Sequence, residues 1–157
     1  MTTARAETVI AAPIDAVWAL MLDTDAYPTW NPFIVEVGRP DGDDRPLRLG
    51  DRVVLHVRWH DGGSARATER ITALDPPAAG AALLEYEYGG PLAALGLVRG
   101  RRQQTLTALD DGTTRYVTHE HLRGAAVRFA PIAKVEDGFE RHAAALKAAA
   151  EPRAASG

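Results

Sequence analysis

The sequence predicts an α+β fold in which a curved antiparallel sheet of about seven strands wraps one long C-terminal helix. Apolar residues recur with helical spacing near both ends of the chain, and between about residues 33 and 123 they alternate with polar residues. Turn-forming residues separate the alternating segments, and turns this short join antiparallel strands. Packing the helix against one face of the sheet is the simplest two-layer arrangement, and it leaves room for an internal apolar cavity.

The N-terminal third is predicted to contain one strand and two helices. Residues 6–12 form the strand, which ends at Pro13. A second, short helix begins at Asp23 or Thr24, and Asn31-Pro32 ends it. The first helix is predicted by apolar residues on one face, namely Ile14, Val17, Trp18, Met21 and Leu22.

Six further strands and a long helix follow. Asp61-Gly62-Gly63 and Asp110-Asp111-Gly112 are hairpin turns, and Asp75-Pro76-Pro77 is expected to close a strand. The strands cover about residues 33–37, 51–60, 64–74, 82–88, 100–109 and 113–123. The helix begins near Phe129, and its apolar stripe consists of Ile132, Val135, Phe139, His142 and Leu146. We expect residues 1–150 to form a single domain and residues 151–157 to form a disordered tail.

The composition excludes several classes of protein. The chain has 157 residues, of which 46% are hydrophobic and 25% are charged, as in globular domains. Its net charge of −3 argues against nucleic acid as a partner, and the absence of cysteine excludes disulfides and thiolate chemistry. No apolar run is long enough for stable membrane insertion. We expect a cytoplasmic protein that is a monomer or a homodimer.

Residues along nearly the whole chain match the pattern of a known superfamily. The matching residues near the N-terminus are Ile10, Ala12, Pro13, Val17, Trp18, Leu20, Asp23, Tyr27, Pro28, Trp30, Asn31, Pro32 and Phe33. Later matches are Gly100, Thr114, Arg115, Glu120, Gly124, Phe139, Leu146 and Lys147. In these residues the chain resembles the superfamily called START-like, SRPBCC or Bet v 1-like, and it is most similar to the bacterial branch labelled polyketide cyclase/dehydrase and lipid transport. The resemblance implies a helix-grip fold whose sheet and C-terminal helix line an apolar pocket for a small hydrophobic molecule.

The same resemblance implies that Arg102, Gln104 and Leu106 lie on the inner face of their strand. Relatives often carry His at the position of Arg102 and Phe at that of Gln104. The pocket is therefore expected to be more polar than is usual in the family.

Alternation orients the next strand. Tyr116, Thr118, Glu120 and Leu122 share one face, and the apolar bulk of Tyr116 and Leu122 favours placing that face inside. Glu120 then points into the cavity. Because a buried carboxylate needs a partner, we predict that Glu120 pairs with Arg102.

Ten residues are candidates for ligand contact, although core packing explains several of them equally well. They are Trp30, Trp59, Tyr86, Tyr88, Arg102, Gln104, Tyr116, Glu120, Phe139 and His142. The apolar segment Gly89–Val98 is a candidate lid, and a dimer contact or a membrane-touching loop are alternatives. His119 and His121 share the outer face without a third ligand, so we predict no metal site and no cofactor.

Three functions remain open at this level. The first is a module that binds a lipid-like, aromatic or polyketide-like molecule. The second is a cofactor-free polyketide cyclase or aromatase, in which Arg102 holds a carbonyl group and Glu120 acts as the general acid or base. The third is a stress or regulatory protein that contacts a partner through the apolar segment.

Overall fold

The computed structural model describes residues 2–42 and 44–155, and it confirms the helix-grip arrangement. The strands form one curled antiparallel sheet in the order β1-β7-β6-β5-β4-β3-β2. They are β1 (Thr2–Ile10), β2 (Ile34–Gly38), β3 (Arg52–Arg58), β4 (Ser64–Ala78), β5 (Ala81–Tyr88), β6 (Arg99–Ala108) and β7 (Thr114–Arg123). The α-helices are α1 (Ile14–Leu22), α2 (Tyr27–Trp30), α3 (Pro91–Ala94) and α4 (Ile132–Ala155).

The fourth strand is longer than the sequence predicts. Asp75-Pro76-Pro77 was expected to end it, but β4 continues to Ala78. The pairing of β4 with β5 shifts register between Asp75 and Ala78. Proline is tolerated at such a bulge because the ladder does not need its missing N–H group there.

The helical elements before and within α4 also differ in detail. Phe129 is not part of α4 but ends a short 3-10 turn, Val127–Phe129. The expected disordered tail is also corrected in part, because α4 continues through residues 151–155, whereas residues 156–157 lie outside the described residues. Lys147 stabilises this end, since its ammonium group donates to the Val9 carbonyl at 2.7 Å and contacts Glu151 at 2.6 Å.

The two halves of α4 have different surroundings, and this positions the site. Leu146 and Ala150 in the C-terminal half are fully buried in the main core, against β1 and α1. Val135 and Phe139 in the N-terminal half face a cavity instead. Among the described residues, no helix is both long and apolar enough to cross a membrane.

Candidate functional site

A cavity of about 510 Å³ lies between the inner face of the sheet and the first half of α4. This volume is typical of pockets for small molecules. Alternation on β3 directs its aliphatic side chains inward, as the sequence predicts. The apolar part of the wall includes Ile34, Leu55, Val57, Trp59, Val135 and Phe139.

Three ionisable side chains interrupt this apolar wall. They are Glu69 on β4, Arg102 on β6 and Glu120 on β7. Only 8% of Glu69 and 5% of Arg102 are exposed. Arg102 lies directly opposite Glu120 in the β6–β7 register, as alternation predicts.

The Arg102 guanidinium is fixed by neighbouring polar groups. Its Nε donates to Thr118 Oγ1 at 3.0 Å, and its Nη2 lies 3.4 Å from Gln104 Oε1. The same Gln104 oxygen accepts a hydrogen bond of 2.7 Å from the Tyr116 hydroxyl. The guanidinium carbon also lies 4.3 Å from the centre of the Phe139 ring, in a cation–π contact. These contacts hold the guanidinium at the cavity wall and leave some of its five N–H groups for a ligand.

The predicted Arg102–Glu120 ion pair is not formed among the described residues. The Arg102 side chain is held by Thr118 on β7 and by Gln104 on β6, whereas the Glu120 carboxyl lies over Gly100. A Cβ atom at Gly100 would be only 3.1 Å from Glu120 Oε1, so the glycine makes room for this carboxyl group. Arg102 and Glu120 therefore interact through their charges across the cavity wall, without direct contact.

Burial raises the pKa of both carboxyl groups, Glu69 and Glu120. Desolvation raises the pKa of Glu69 to about 8, and the charge of Glu120 adds to the increase while Arg102 opposes it. Desolvation also raises the pKa of Glu120, again opposed by Arg102. At neutral pH, Glu69 is therefore mainly an uncharged carboxylic acid that can donate a hydrogen bond into the cavity.

Glu69 was missed by the sequence reasoning, although a signal was available. Ala65, Ala67 and Glu69 all line the cavity, and Ile71 on the same face is buried. Extending the period of two from Ile71 would have turned Glu69 inward.

Five of the ten candidate ligand contacts line the cavity, and five do not. The cavity wall includes Trp59, Tyr88, Arg102, Glu120 and Phe139. The cavity wall does not include Trp30, Tyr86, Gln104, Tyr116 or His142. Tyr86, Gln104 and Tyr116 do point inward, but they are buried in the protein interior beside the cavity.

His142 holds α4 in place rather than facing the cavity. It is fully buried, and its Nδ1 accepts a hydrogen bond of 2.9 Å from Asn31 Nδ2. Burial keeps its pKa well below 6.5, and the Arg102 charge lowers it further. Asn31 Oδ1 in turn accepts hydrogen bonds of 3.0 Å from the backbone N–H groups of Phe33 and Ile34. Asn31 therefore joins α4 to the start of β2.

Two segments border the cavity mouth. One is Gly89–Val98, which contains α3 and contributes Leu92 and Val98 to the wall. The other follows β7 and contributes Ala126, Phe129, Ala130 and Pro131. They touch where Ala126 N–H donates to the Leu97 carbonyl at 3.1 Å. The first segment is therefore placed where a lid would lie, and its movement stays a prediction.

The paired histidines lie on the outer face of β7, as alternation predicts. The rings of His119 and His121 are 4.9 Å apart, and His121 Nδ1 lies 3.2 Å from the Thr3 hydroxyl. Within the ranges that the structure describes, no group of three or more possible metal ligands is found.

Comparison with known proteins places the chain in a family. The sequence profile of the family described as "Polyketide cyclase / dehydrase and lipid transport" matches residues 1–151. The chain belongs to this family.

Two solved structures show how far the fold is shared. The Zhui aromatase/cyclase from Streptomyces sp. R1128 has a TM-score of 0.72 and 21% identity, over 97% of this chain and 94% of that one. A START superfamily protein from Mycobacterium smegmatis has a TM-score of 0.66 and 17% identity, over 96% and 98% of the two chains. At these identities the likeness shows the fold alone.

A curated relative is similar over part of its length. The "Oxopyrrolidines biosynthesis cluster protein O" from Penicillium oxalicum is 31% identical over an alignment of 88 residues, which covers 50% of this chain. The match spans less than half of that protein's length, 44%.

Proposed function

We propose that the protein binds a small, mainly apolar molecule in the cavity and holds one oxygen-bearing group of it at Arg102. The ligand class is lipid-like, aromatic or polyketide-like. The observation that carries the proposal is a buried guanidinium held by Thr118 and Gln104 at the wall of an otherwise apolar cavity. Family and fold fit this function.

The apolar wall of the cavity supplies most of the affinity, and the polar groups at Arg102 and Glu69 orient the ligand. A ligand that buries about 200 Å² of apolar surface gains about 5 kcal/mol from leaving water. A hydrogen bond to a charged group adds about 1.5–3 kcal/mol. The neutral Glu69 carboxyl is a second donor for the same oxygen. The first two contributions sum to about 6.5–8 kcal/mol before the entropy lost on binding is subtracted, so a ligand of this size is expected to bind more weakly than micromolar.

The proposal is tested with a matched pair of ligands. Affinities of a naphthol and of naphthalene are measured by displacement of a fluorescent naphthalene sulfonate probe, in the native protein and in Arg102→Met. The variant should bind the naphthol about tenfold or more weakly, because it loses the charged donor, and should bind naphthalene within about twofold of the native protein.

Arg66→Met is the matched control, because Arg66 is exposed on β4 and does not line the cavity. This variant should bind both ligands as the native protein does. Equal affinity of native protein and Arg102→Met for the naphthol would refute the anchoring role. Failure of the native protein to bind either compound, together with an empty cavity in native mass spectrometry of the purified protein, would refute the binding function itself.

A second candidate function is cofactor-free proton transfer of the cyclase or aromatase type. The observation that favours it is the pair of carboxyl groups, Glu69 and Glu120, on the wall of the cavity that also holds Arg102. In this reaction the Glu120 carboxylate removes a proton from the carbon next to a ketone. Arg102 stabilises the negative oxygen that forms, and the Glu69 carboxyl donates a proton to it. The product is the enol, with Glu120 protonated and Glu69 ionised.

Exchange of ketone α-protons for deuterium in D₂O, followed by NMR, separates this candidate from simple binding. If the protein transfers protons, it accelerates the exchange, and Glu120→Gln abolishes the acceleration while ligand affinity stays within about twofold. Exchange at the uncatalysed rate in the native protein would leave binding as the function.

A further inference from the structure

Exposed apolar side chains are concentrated around the cavity mouth. Leu95 is 71% exposed and Phe129 is 75% exposed, while Leu92 and Leu97 are 42% and 38% exposed. We call these four residues the mouth patch. Among the described residues, the other exposed large hydrophobic side chains are only Val9 and Leu49. Leu92 and Phe129 belong both to the patch and to the cavity wall, so the patch continues from the cavity onto the protein surface.

Three exposed arginines lie at the same end of the sheet as the mouth patch. Arg99 and Arg123 are direct partners in the β6–β7 register, and Arg128 lies 4.7 Å from the centre of the Phe129 ring. Within the part of the chain that the structure describes, these three arginines form no ion pair. Like charges placed directly opposite each other on two strands destabilise a sheet. An anion bound from outside would remove that repulsion.

The same region lacks acidic residues. Residues 89–109 and 121–135 contain no Asp or Glu, although the whole chain has 21 acidic side chains and a net charge of −3. Arg101, also on β6, forms an ion pair with Glu85, with 3.7 Å between Arg101 Nε and Glu85 Oε1. Of the two exposed arginines on this strand, the one without an ion pair among the described residues is therefore Arg99, at the end of β6 that is nearer the mouth. The mouth is therefore a local basic, apolar surface on a protein that is acidic overall.

We propose that the mouth patch and Arg99, Arg123 and Arg128 dock reversibly on an anionic lipid surface. Exposed apolar side chains with arginines close by have the chemistry of interfacial membrane binding, in which the apolar groups enter the headgroup region and the cations contact acidic lipids. A protein partner needs pockets shaped for Leu95 and Phe129, whereas a lipid surface accepts them as they stand. Docking in this way places the cavity mouth against the lipid.

Sedimentation with vesicles tests the proposal without any knowledge of the ligand. The native protein should bind vesicles of phosphatidylcholine with about 30 mol % phosphatidylglycerol, and should bind pure phosphatidylcholine much more weakly. Arg99→Gln/Arg123→Gln should weaken binding to the anionic vesicles about 30-fold, since each arginine contributes about fivefold. Phe129→Ser should weaken it about tenfold through loss of apolar contact.

Two surface variants serve as matched controls. Leu49→Ser removes a 66% exposed leucine and Arg66→Gln removes an exposed arginine, both outside the mouth patch, and both should bind as the native protein does. Absence of binding to anionic vesicles would overturn the proposal. Loss of binding in the arginine variant but not in Phe129→Ser would overturn the apolar docking, leaving simple adsorption. A dimer in solution that Phe129→Ser dissociates would also overturn it, because a second copy would then cover the patch.

Discussion

Replacing Glu69 by glutamine should remove a loss of stability that we expect for the native protein between pH 6.5 and pH 8. Burial raises the pKa of Glu69 from 4.5 to about 8, so in this interval the folded protein keeps a proton that the unfolded chain has released. Stability rises with pH where the unfolded state binds more protons, and it falls where the folded state does. The free energy of unfolding must therefore decrease as the pH increases.

The size of the effect follows from the two pKa values. They differ by 3.5 pH units, and at about 1.36 kcal/mol per unit the full effect is roughly 5 kcal/mol. Between pH 6.5 and pH 8 we expect a decrease of about 1.5 kcal/mol, because the folded carboxyl itself begins to ionise near pH 8. Glu120 acts in the same direction, since burial raises its pKa too.

Two histidines with lowered pKa values act in the opposite direction. At pH 6.5 an unfolded histidine is still about half protonated, so His142 and His119 each add up to about 0.4 kcal/mol of stability as the pH rises to 8. Paired carboxylates such as Asp41 have lowered pKa values and act at lower pH. The difference between the native protein and Glu69→Gln cancels the histidine contribution and isolates the Glu69 carboxyl group.

Urea unfolding at pH 6.5, 7.25 and 8 measures the effect, with fluorescence of the three tryptophans as the signal. Over this interval the native protein should lose about 1.5 kcal/mol more than Glu69→Gln, because the amide cannot ionise. Glu140→Gln, at an exposed position of α4, should follow the native protein. Parallel pH dependence of the native protein and Glu69→Gln would refute the reasoning, and with it the neutral state of Glu69 at pH 7.

Two further substitutions test how the cavity is built. Asn31→Ala should lower the free energy of unfolding, measured by urea unfolding, by about 3 kcal/mol. The reason is that two backbone N–H groups and His142 Nδ1 lose their hydrogen-bond partner. A loss below about 1 kcal/mol would contradict this role. Gly100→Ala places a Cβ atom 2.8 Å from Leu122 Cδ2 and 3.1 Å from Glu120 Oε1, so thermal unfolding should show a loss of about 1–3 kcal/mol. An unchanged melting temperature would show that the neighbours of Gly100 yield freely.

The faces of the strands could be predicted from the sequence because alternation has a period of two. On β7, Tyr116, Thr118 and Leu122 are buried while Arg115 and Arg123 are exposed, as predicted. A register shift of one residue would reverse every side chain, so a strand with one apolar face specifies its orientation strongly. The same argument placed Glu120 on the inner face, whereas the inward orientation of Arg102 was implied by the family resemblance.

Depth along a strand could not be predicted in the same way. Arg102 and Gln104 share a face, yet one lines the cavity and the other lies in the interior beside it. The difference depends on where α4 crosses the sheet, which is a tertiary contact without a local sequence signal. Tyr86 and His142 were predicted as ligand contacts because the sequence carries no signal for this depth, and both lie in the interior outside the cavity wall.

The absence of an Arg102–Glu120 contact has a consequence for the site. A direct ion pair would use the N–H groups of the guanidinium within the protein and would lower the pKa of Glu120. Thr118 and Gln104 instead hold Arg102 through neutral oxygens, so its charge is not cancelled by a contact. Two residues that do not line the cavity thus keep a cation available at its wall. Replacing either one is expected to affect the ligand through Arg102 rather than through direct contact.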